Sequence, residues 1–118
     1  MSAPKRMAIK QALLSTGRFR VGCAIAKGKR ILYAGYNQMD RTHPKMGHVK
    51  RLHAEVHALL PTHGEPVVGA KAYVVRIMSN GGLGLARPCP DCIKALRQHG
   101  IEEVCYTDTN GVWVEEGI

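Results

Sequence analysis

Four residues in two short segments have the types and spacing of a metal site with a proton carrier beside it. His53 and Glu55 stand two positions apart, and Cys89 and Cys92 stand three positions apart. One nitrogen and two sulfur donors suit a tetrahedral zinc ion whose fourth position stays open to water. The sequence therefore predicts zinc as the cofactor, with His53, Cys89 and Cys92 as its ligands. A carboxylate near that water can move protons, so Glu55 is predicted as the catalytic residue and not as a fourth ligand.

Both segments are predicted to lie where helices begin. Cys89 and Cys92 are expected on the first turn of a helix opened by Pro88, where their side chains share one face. The positive partial charge of a helix N-terminus favours thiolates at that position. His57, one turn beyond His53, is the competing ligand. A three-ligand site needs one histidine, so His57 is interpreted as a core residue or as a support of the site.

The elements that must carry these residues alternate along the chain. The order α-β-β-α-β-α-β-β predicts an α/β layer sandwich, with one sheet and helices packed on it. The length of 118 residues fits one domain. The patterns predict helices over 5–15, 52–60 and 88–99, and strands over 20–26, 30–36, 70–78, 102–107 and 112–114.

Two connections carry further information. Only residues 108–111 separate the last two strands, which is too short for a parallel crossover, so these strands are predicted to be antiparallel. The stretch 76–87 is a glycine-rich excursion ahead of Cys89, with a turn at 79–82 and a short strand over 83–86. A lid, an oligomer contact and a plain hairpin remain open as interpretations of this stretch.

Composition and charge limit the class of protein. No apolar run approaches the length of a membrane span, and no apolar stretch follows the basic residues 1–10, so neither a membrane anchor nor a signal peptide is expected. We predict a cytoplasmic protein whose Cys23 and Cys105 are buried, inert thiols. Residues 1–51 contain twelve Lys or Arg against one acid, which indicates an anionic partner or a solvated basic face.

The two zinc-site segments together resemble the cytidine deaminase superfamily, the zinc-dependent nucleobase deaminases. The resemblance covers most of the chain and implies a three-layer α-β-α sandwich around one mixed sheet of about five strands. It also implies one zinc-dependent deaminase domain over residues 1–118, hydrolytic release of ammonia, and a homo-oligomer. The matching segments are Val21-Gly22-Cys23-Ala24, Gly35-Tyr36-Asn37, His53-Ala54-Glu55, Ala72-Tyr73-Val74-Val75, Pro88-Cys89-Pro90-Asp91-Cys92, Gly100-Ile101 and Val104-Cys105-Tyr106.

The resemblance also implies roles for residues outside the zinc ligands. Asn37 would hydrogen-bond the sugar or the base of the substrate, and the backbone at Ala54 and near Pro88 would contact the base. Glu55 would protonate the ring nitrogen and then the departing amine.

The substrate depends on weaker features. The cytidine type has a glutamate two positions beyond its asparagine, where this chain has Met39, and the loop that follows is basic. Its Arg41, Lys45 and Arg51 suit a phosphate, which favours a deoxycytidylate-like cytosine nucleotide. The alternatives are a free cytidine or deoxycytidine deaminase and a cytosine or adenine editor of single-stranded nucleic acid. The basic first half favours the editor, and the scarcity of aromatic residues opposes it. The alternative that is not an enzyme is a binding module that zinc stabilises.

Overall fold

The computed structural model describes residues 1–15, 20–38, 53–63 and 65–118. The helices are α1 (Ala3–Leu14), α2 (Ala54–Leu59) and α3 (Pro90–Gln98), and a short 3-10 helix (Leu60–Thr62) follows α2. The strands are β1 (Arg20–Lys27), β2 (Arg30–Tyr36), β3 (Lys71–Ile77), β4 (Leu83–Gly84), β5 (Glu103–Thr107) and β6 (Trp113–Gly117). No helix in these ranges is both long enough and apolar enough to cross a membrane.

The strands form one mixed sheet in the order β2-β1-β3-β5-β6, and β4 pairs with the end of β3. The neighbours β3 and β5 are parallel, whereas β1 is antiparallel to both β2 and β3. The last two strands, β5 and β6, are antiparallel as predicted from their short connection. The sheet has six strands, one more than the approximate number expected, because the two residues of β4 pair with Arg76 and Ile77.

Side chains that alternate along β1 enter two separate cores, one on each face of the sheet. Cys23 and Ile25 belong to the core that also contains Ala58 of α2 and Leu96 of α3. The residue between them, Ala24, belongs to a second core with residues of α1. Successive side chains of a strand point to opposite faces of the sheet. The two cores therefore lie on opposite faces, with α2 and α3 covering one face and α1 covering the other. The α-β-α layers implied by the resemblance are confirmed.

Glycines in β1 and β2 let the helices approach the sheet at backbone distance. A Cβ atom added to Gly22 would lie 2.0 Å from the carbonyl oxygen of Ala8 in α1. A Cβ atom added to Gly35 would lie 2.4 Å from the backbone nitrogen of Ala58 and 2.7 Å from the carbonyl oxygen of Ala54. Helix α2 therefore rests directly on the backbone of β2, which fixes its height above the sheet.

The third helix begins later than predicted. It starts at Pro90 and not at Pro88, and Cys89 is its N-cap with φ −68° and ψ 164°. Proline disfavours the helical conformation in the residue before it, so Pro90 keeps Cys89 extended, while Pro90 itself suits a first helical position. The expectation that both cysteines lie on the first helical turn is wrong for Cys89. The helix ends at Gln98, and Gly100 follows it with φ +81°.

The other boundaries differ by a few residues. Helix α1 starts at Ala3, two residues before the predicted start, and β6 extends to Gly117. The second helix is shorter than the predicted range 52–60. Its regular part ends at Leu59, because Pro61 lies in the first turn of the 3-10 helix and cannot continue an α-helix.

The excursion over residues 76–87 is a hairpin that is bonded to the sheet on both sides. Besides the pairing of β4 with β3, the Ala86 N–H donates to the Thr107 carbonyl at 2.8 Å, and the Thr107 hydroxyl donates to the Gly84 carbonyl at 2.6 Å. Arg87 then forms two hydrogen bonds with the Glu116 carboxylate, at 2.9 and 2.8 Å. This bonding favours the hairpin among the three open interpretations and argues against a lid.

Candidate metal centre and active site

Three N/S donors converge on one point. The ligand atoms of His53, Cys89 and Cys92 all lie within 4.8 Å of one another. The His53 Nδ1 is 3.2 Å from the Cys92 sulfur and 3.7 Å from the Cys89 sulfur. Tetrahedral zinc, with Zn–S near 2.3 Å and Zn–N near 2.0 Å, requires N···S separations of about 3.5 Å. The two observed distances lie on either side of this value, so the donor set fits the ion that the sequence predicts.

The three donors lie at the starts of two helices. His53 is the N-cap of α2 and Cys89 is the N-cap of α3, each in an extended conformation just ahead of its helix. Cys92 is the third residue of α3, in its first turn, and is buried. Both thiols lie at the N-terminus of α3, whose positive partial charge favours their ionised form when a metal is bound.

Glu55 lies in the first turn of α2 with only 4% of its surface exposed. Burial raises the pKa of Glu55 above its ordinary value, although the nearby His53 and a hydrogen bond with Cys92 act in the opposite direction. Burial, and then the charge of Glu55, raise the pKa of the Cys92 thiol. Two buried acidic groups in contact oppose each other's ionisation, and a cation between the donors would relieve this. The electrostatics therefore also fit a divalent metal.

Asn37 is held against the start of α2. Its side-chain oxygen accepts a hydrogen bond from the Ala54 N–H at 3.1 Å. Its own N–H donates to the Val21 carbonyl at 3.0 Å, and its carbonyl accepts from the Ser15 hydroxyl at 2.9 Å. The structure thus brings Asn37 and Ala54, two predicted substrate contacts, into direct contact with each other and beside His53. Pro88, a third predicted contact, is buried immediately before Cys89.

The predicted phosphate-binding residues cannot be placed in the same way. Arg41, Lys45 and Arg51 lie outside the described residues. Their assignment to a phosphate stays a prediction from the sequence.

His57 has a role that residue spacing did not reveal. Its ring Nδ1 accepts a hydrogen bond from the Tyr36 N–H at 3.0 Å, and the two rings meet edge to face with centroids 4.9 Å apart. It is not part of the donor cluster of His53, Cys89 and Cys92. The contact joins residues 21 positions apart, so no local pattern could have predicted it.

The remaining cysteines are buried as predicted. Cys23 and Cys105 are 0% and 2% exposed, and all four cysteines of the chain are free thiols. Burial, and then the nearby Glu55, raise the pKa of the Cys23 thiol. A buried neutral thiol is a small apolar group, which agrees with the packing role predicted for both residues.

Sequence comparison identifies relatives. Residues 2–108 match the family model of the cytidine and deoxycytidylate deaminase zinc-binding region. The deoxycytidylate deaminase of Enterobacteria phage T4 is 33% identical over 97 residues, which cover 73% of this chain and 45% of the phage protein. The chain thus spans less than half the length of this curated relative.

Solved structures with the same fold include deaminases of two kinds. The dCMP deaminase of cyanophage S-TIM5 superposes in its apo form with a TM-score of 0.65 and 27% identity, over 91% of this chain and 81% of the other. The same cyanophage protein is also known in complex with dCMP and dUMP, and it superposes over 89% of this chain and 78% of the other, with a TM-score of 0.62 and 25% identity.

The cytidine deaminase of Burkholderia pseudomallei gives a TM-score of 0.71 at 20% identity, over 98% of this chain and 90% of the other, a likeness of fold alone. The family model covers most of the chain, and the fold and the donor set agree with it. The chain belongs to the cytidine and deoxycytidylate deaminase family that this zinc-binding region defines.

Proposed function

We propose that this chain catalyses the zinc-dependent hydrolytic deamination of a cytosine nucleotide of the dCMP type, yielding the uracil nucleotide and ammonia. One observation carries the proposal: three zinc donors meet where α2 and α3 begin, with the buried carboxyl of Glu55 beside them. A purely structural zinc site has four protein ligands, whereas the three donors found among the described residues would leave a position for chemistry. The deoxycytidylate deaminases among the relatives support this substrate class.

The residues divide the work of the reaction. His53, Cys89 and Cys92 would hold zinc, which when bound lowers the pKa of a water to about 7 and so supplies the nucleophile. Glu55 takes a proton from the attacking water and passes protons to the ring nitrogen and to the departing amino group. Burial raises the pKa of Glu55, so its carboxyl can hold a proton between these steps. Asn37, whose side-chain oxygen accepts a hydrogen bond from the Ala54 N–H, would orient the sugar or base.

The positive charge of the segment after Asn37 favours a nucleotide over a free nucleoside as the substrate. The segment that follows Asn37 contains Arg41, Lys45 and Arg51 and has Asp40 as its single acid. Arginine and lysine recognise phosphate by charge-assisted hydrogen bonds. We assign the substrate phosphate to this basic segment.

We further propose that residues 1–118 act as one deaminase domain in a cytoplasmic homo-oligomer. The large, about half-exposed apolar side chains of Leu13, Leu14 and Leu85 are candidate contacts in such an oligomer.

A substrate panel tests the function. Zinc-loaded protein is mixed with dCMP, CMP, deoxycytidine, cytidine and a cytosine-containing oligonucleotide, and ammonia release is measured. The proposal expects dCMP to have the highest kcat/KM, with the nucleosides well below it. Equal or faster turnover of the nucleosides would refute the phosphate assignment, and preferential turnover of the oligonucleotide would support a nucleic-acid editor. No ammonia from any substrate, with zinc bound, would indicate a binding module.

A further inference from the structure

Two hydrogen bonds tie the end of β2 to α2. The Tyr36 N–H donates to the His57 Nδ1 at 3.0 Å, and the Ala54 N–H donates to the Asn37 side-chain oxygen at 3.1 Å. We call this pair of bonds the β2–α2 latch. Tyr36 is the last residue of β2 and Asn37 follows it, and the two helix residues are one turn apart. The latch therefore joins the strand end to the same short helix that carries Glu55.

The geometry of the outer strand explains why a histidine is useful there. In the described sheet β2 is the strand at one edge, with β1 as its neighbour. The Asn37 N–H points inward and bonds to the Val21 carbonyl of β1. Since successive N–H groups of a strand alternate in direction, the Tyr36 N–H points away from β1. The His57 ring supplies an acceptor for this outward N–H.

The His57 ring contacts the residues on both sides of Asn37. It meets the Tyr36 ring at an interplanar angle of 87°, and the Gln38 amide nitrogen lies 3.2 Å from both of its ring nitrogens. Because Nδ1 accepts a hydrogen bond from a backbone N–H, the neutral ring carries its proton on Nε2. Gly35 allows the close backbone approach that brings ring and strand together.

We propose that His57 is a positioning residue for the reaction: through the β2–α2 latch it sets the place of Asn37 relative to Glu55. This inference rests on the proposed function, in which Asn37 binds substrate and Glu55 moves protons. The ring has no need to touch the substrate or the metal. A displacement of about 1 Å between a binding group and a reacting group can lower the rate by about 100-fold. Loss of the latch is therefore expected to slow the reaction.

Two variants separate the hydrogen bond from the bulk of the ring. His57→Leu removes the acceptor and keeps an apolar side chain, whereas His57→Asn keeps an oxygen acceptor close to the position of Nδ1. With zinc-loaded protein and dCMP, we expect His57→Leu to bind zinc at the wild-type stoichiometry. Its kcat/KM should fall about 10- to 100-fold, mainly through a higher KM, because the group displaced is a substrate contact. His57→Asn should restore kcat/KM to within about threefold of wild type.

Three outcomes would overturn the proposal. Unchanged kinetics in His57→Leu would mean that the bond does not matter. Equal impairment in both variants would mean that ring packing matters instead of the acceptor. Loss of zinc from His57→Leu would mean that His57 acts on the metal site and not on the place of Asn37.

Amide hydrogen exchange tests the latch without reference to activity. In wild type and in His57→Asn the Tyr36 amide should be protected, and in His57→Leu it should exchange about tenfold faster, while amides of β3 and β5 stay unchanged. If His57→Leu does not fold, an unprotected Tyr36 amide in wild type or in His57→Asn is still enough to reject the latch. If no substrate is deaminated but the exchange pattern holds, the proposed function fails and the latch stands.

Discussion

In the proposed reaction, Glu55 can carry protons only while its carboxylate is not a ligand of the metal. Its carboxyl is buried beside His53 and Cys92, and that burial raises its pKa. The three donors of the cluster are the imidazole and the two thiols, and the carboxylate of Glu55 is not among them. A carboxyl that can hold a proton next to an open metal position is what a hydrolytic deamination requires.

Glu55→Gln should separate metal binding from catalysis. Glutamine keeps the shape of the side chain but cannot carry a proton between substrate atoms. We expect dCMP deamination to fall by about 100- to 10,000-fold while zinc stays bound at the wild-type stoichiometry. Ammonia release and metal analysis of the same preparation measure both quantities. Glu65→Gln, at an exposed glutamate, is the matched control and should behave as wild type. Residual activity near wild type, or loss of zinc, would contradict the assigned role.

At the level of single residues, the sequence reveals candidate ligands whose spacing is local, but not partners that are distant along the chain. The spacing of His53, Cys89 and Cys92 predicts a cluster of donors, and these donor atoms do lie together. The catalytic role of Glu55 stays a prediction. The acceptor role of His57 for Tyr36 and the bond from Thr107 to Gly84 are not visible, since the partners are 21 and 23 positions apart. From the sequence alone, His57 and Thr107 look like ordinary core residues, because only the fold brings their hydrogen-bond partners close.

The ends of helices and strands depend on local backbone preferences, such as those of proline, which the spacing of apolar residues does not reveal. The order of elements and the antiparallel last hairpin could be predicted, because chain length alone excludes a parallel crossover over residues 108–111. The start of α3 was predicted two residues too early, because Pro90 excludes Cys89 from the helix. That correction matters for the site, since Cys89 is held by the segment before α3 as well as by the helix.

The segment before Cys89 is braced by the second half of the sheet. Thr107 is completely buried, and its hydroxyl and carbonyl bond to Gly84 and Ala86 respectively. Arg87, two residues before the ligand, pairs with Glu116 of β6. These bonds hold the hairpin over residues 76–87, and with it the segment that leads to Cys89, in one position.

Thr107→Val should loosen this brace. Valine matches threonine in shape but leaves the Gly84 carbonyl without its donor, which should lower the free energy of unfolding by about 1–3 kcal/mol. Because Cys89 follows the braced segment, zinc should also pass to a competing chelator faster. Urea denaturation and a chelator time course measure the two effects. Thr107→Ser keeps the hydroxyl and loses only a methyl group, so its zinc release should match wild type. Equal zinc release in Thr107→Val and wild type would show that the brace does not reach the metal site.

At the scale of the whole molecule the site joins two helices that come from distant parts of the chain. His53 directly precedes α2, the two cysteines lie at the start of α3, and both helices pack on the same core of the sheet. A metal bound to all three side chains would cross-link these helices. Binding to the folded state alone adds stability in proportion to the logarithm of metal concentration over Kd.

Zinc removal should therefore lower the thermal stability of the whole fold. At a free zinc concentration of 100 times Kd the expected gain is about 2.7 kcal/mol relative to the metal-free protein. Thermal melts in the presence of zinc and of a chelator measure the change in Tm. In Cys89→Ser, which lacks one donor, zinc should shift the Tm much less. Identical melting of the wild type with zinc and with chelator would contradict a site of this kind.

Helix α2, which carries most of the His-x-Glu segment, depends on its surroundings for its shape. Six residues are too few for a helix to persist on its own in water. Its shape is imposed by the backbone of β2 at Gly35, by Asn37 at its first N–H, and by the core beneath it. Grafting the segment onto another scaffold would transfer its residues without their arrangement, because the catalytic geometry is a property of the sheet that supports it.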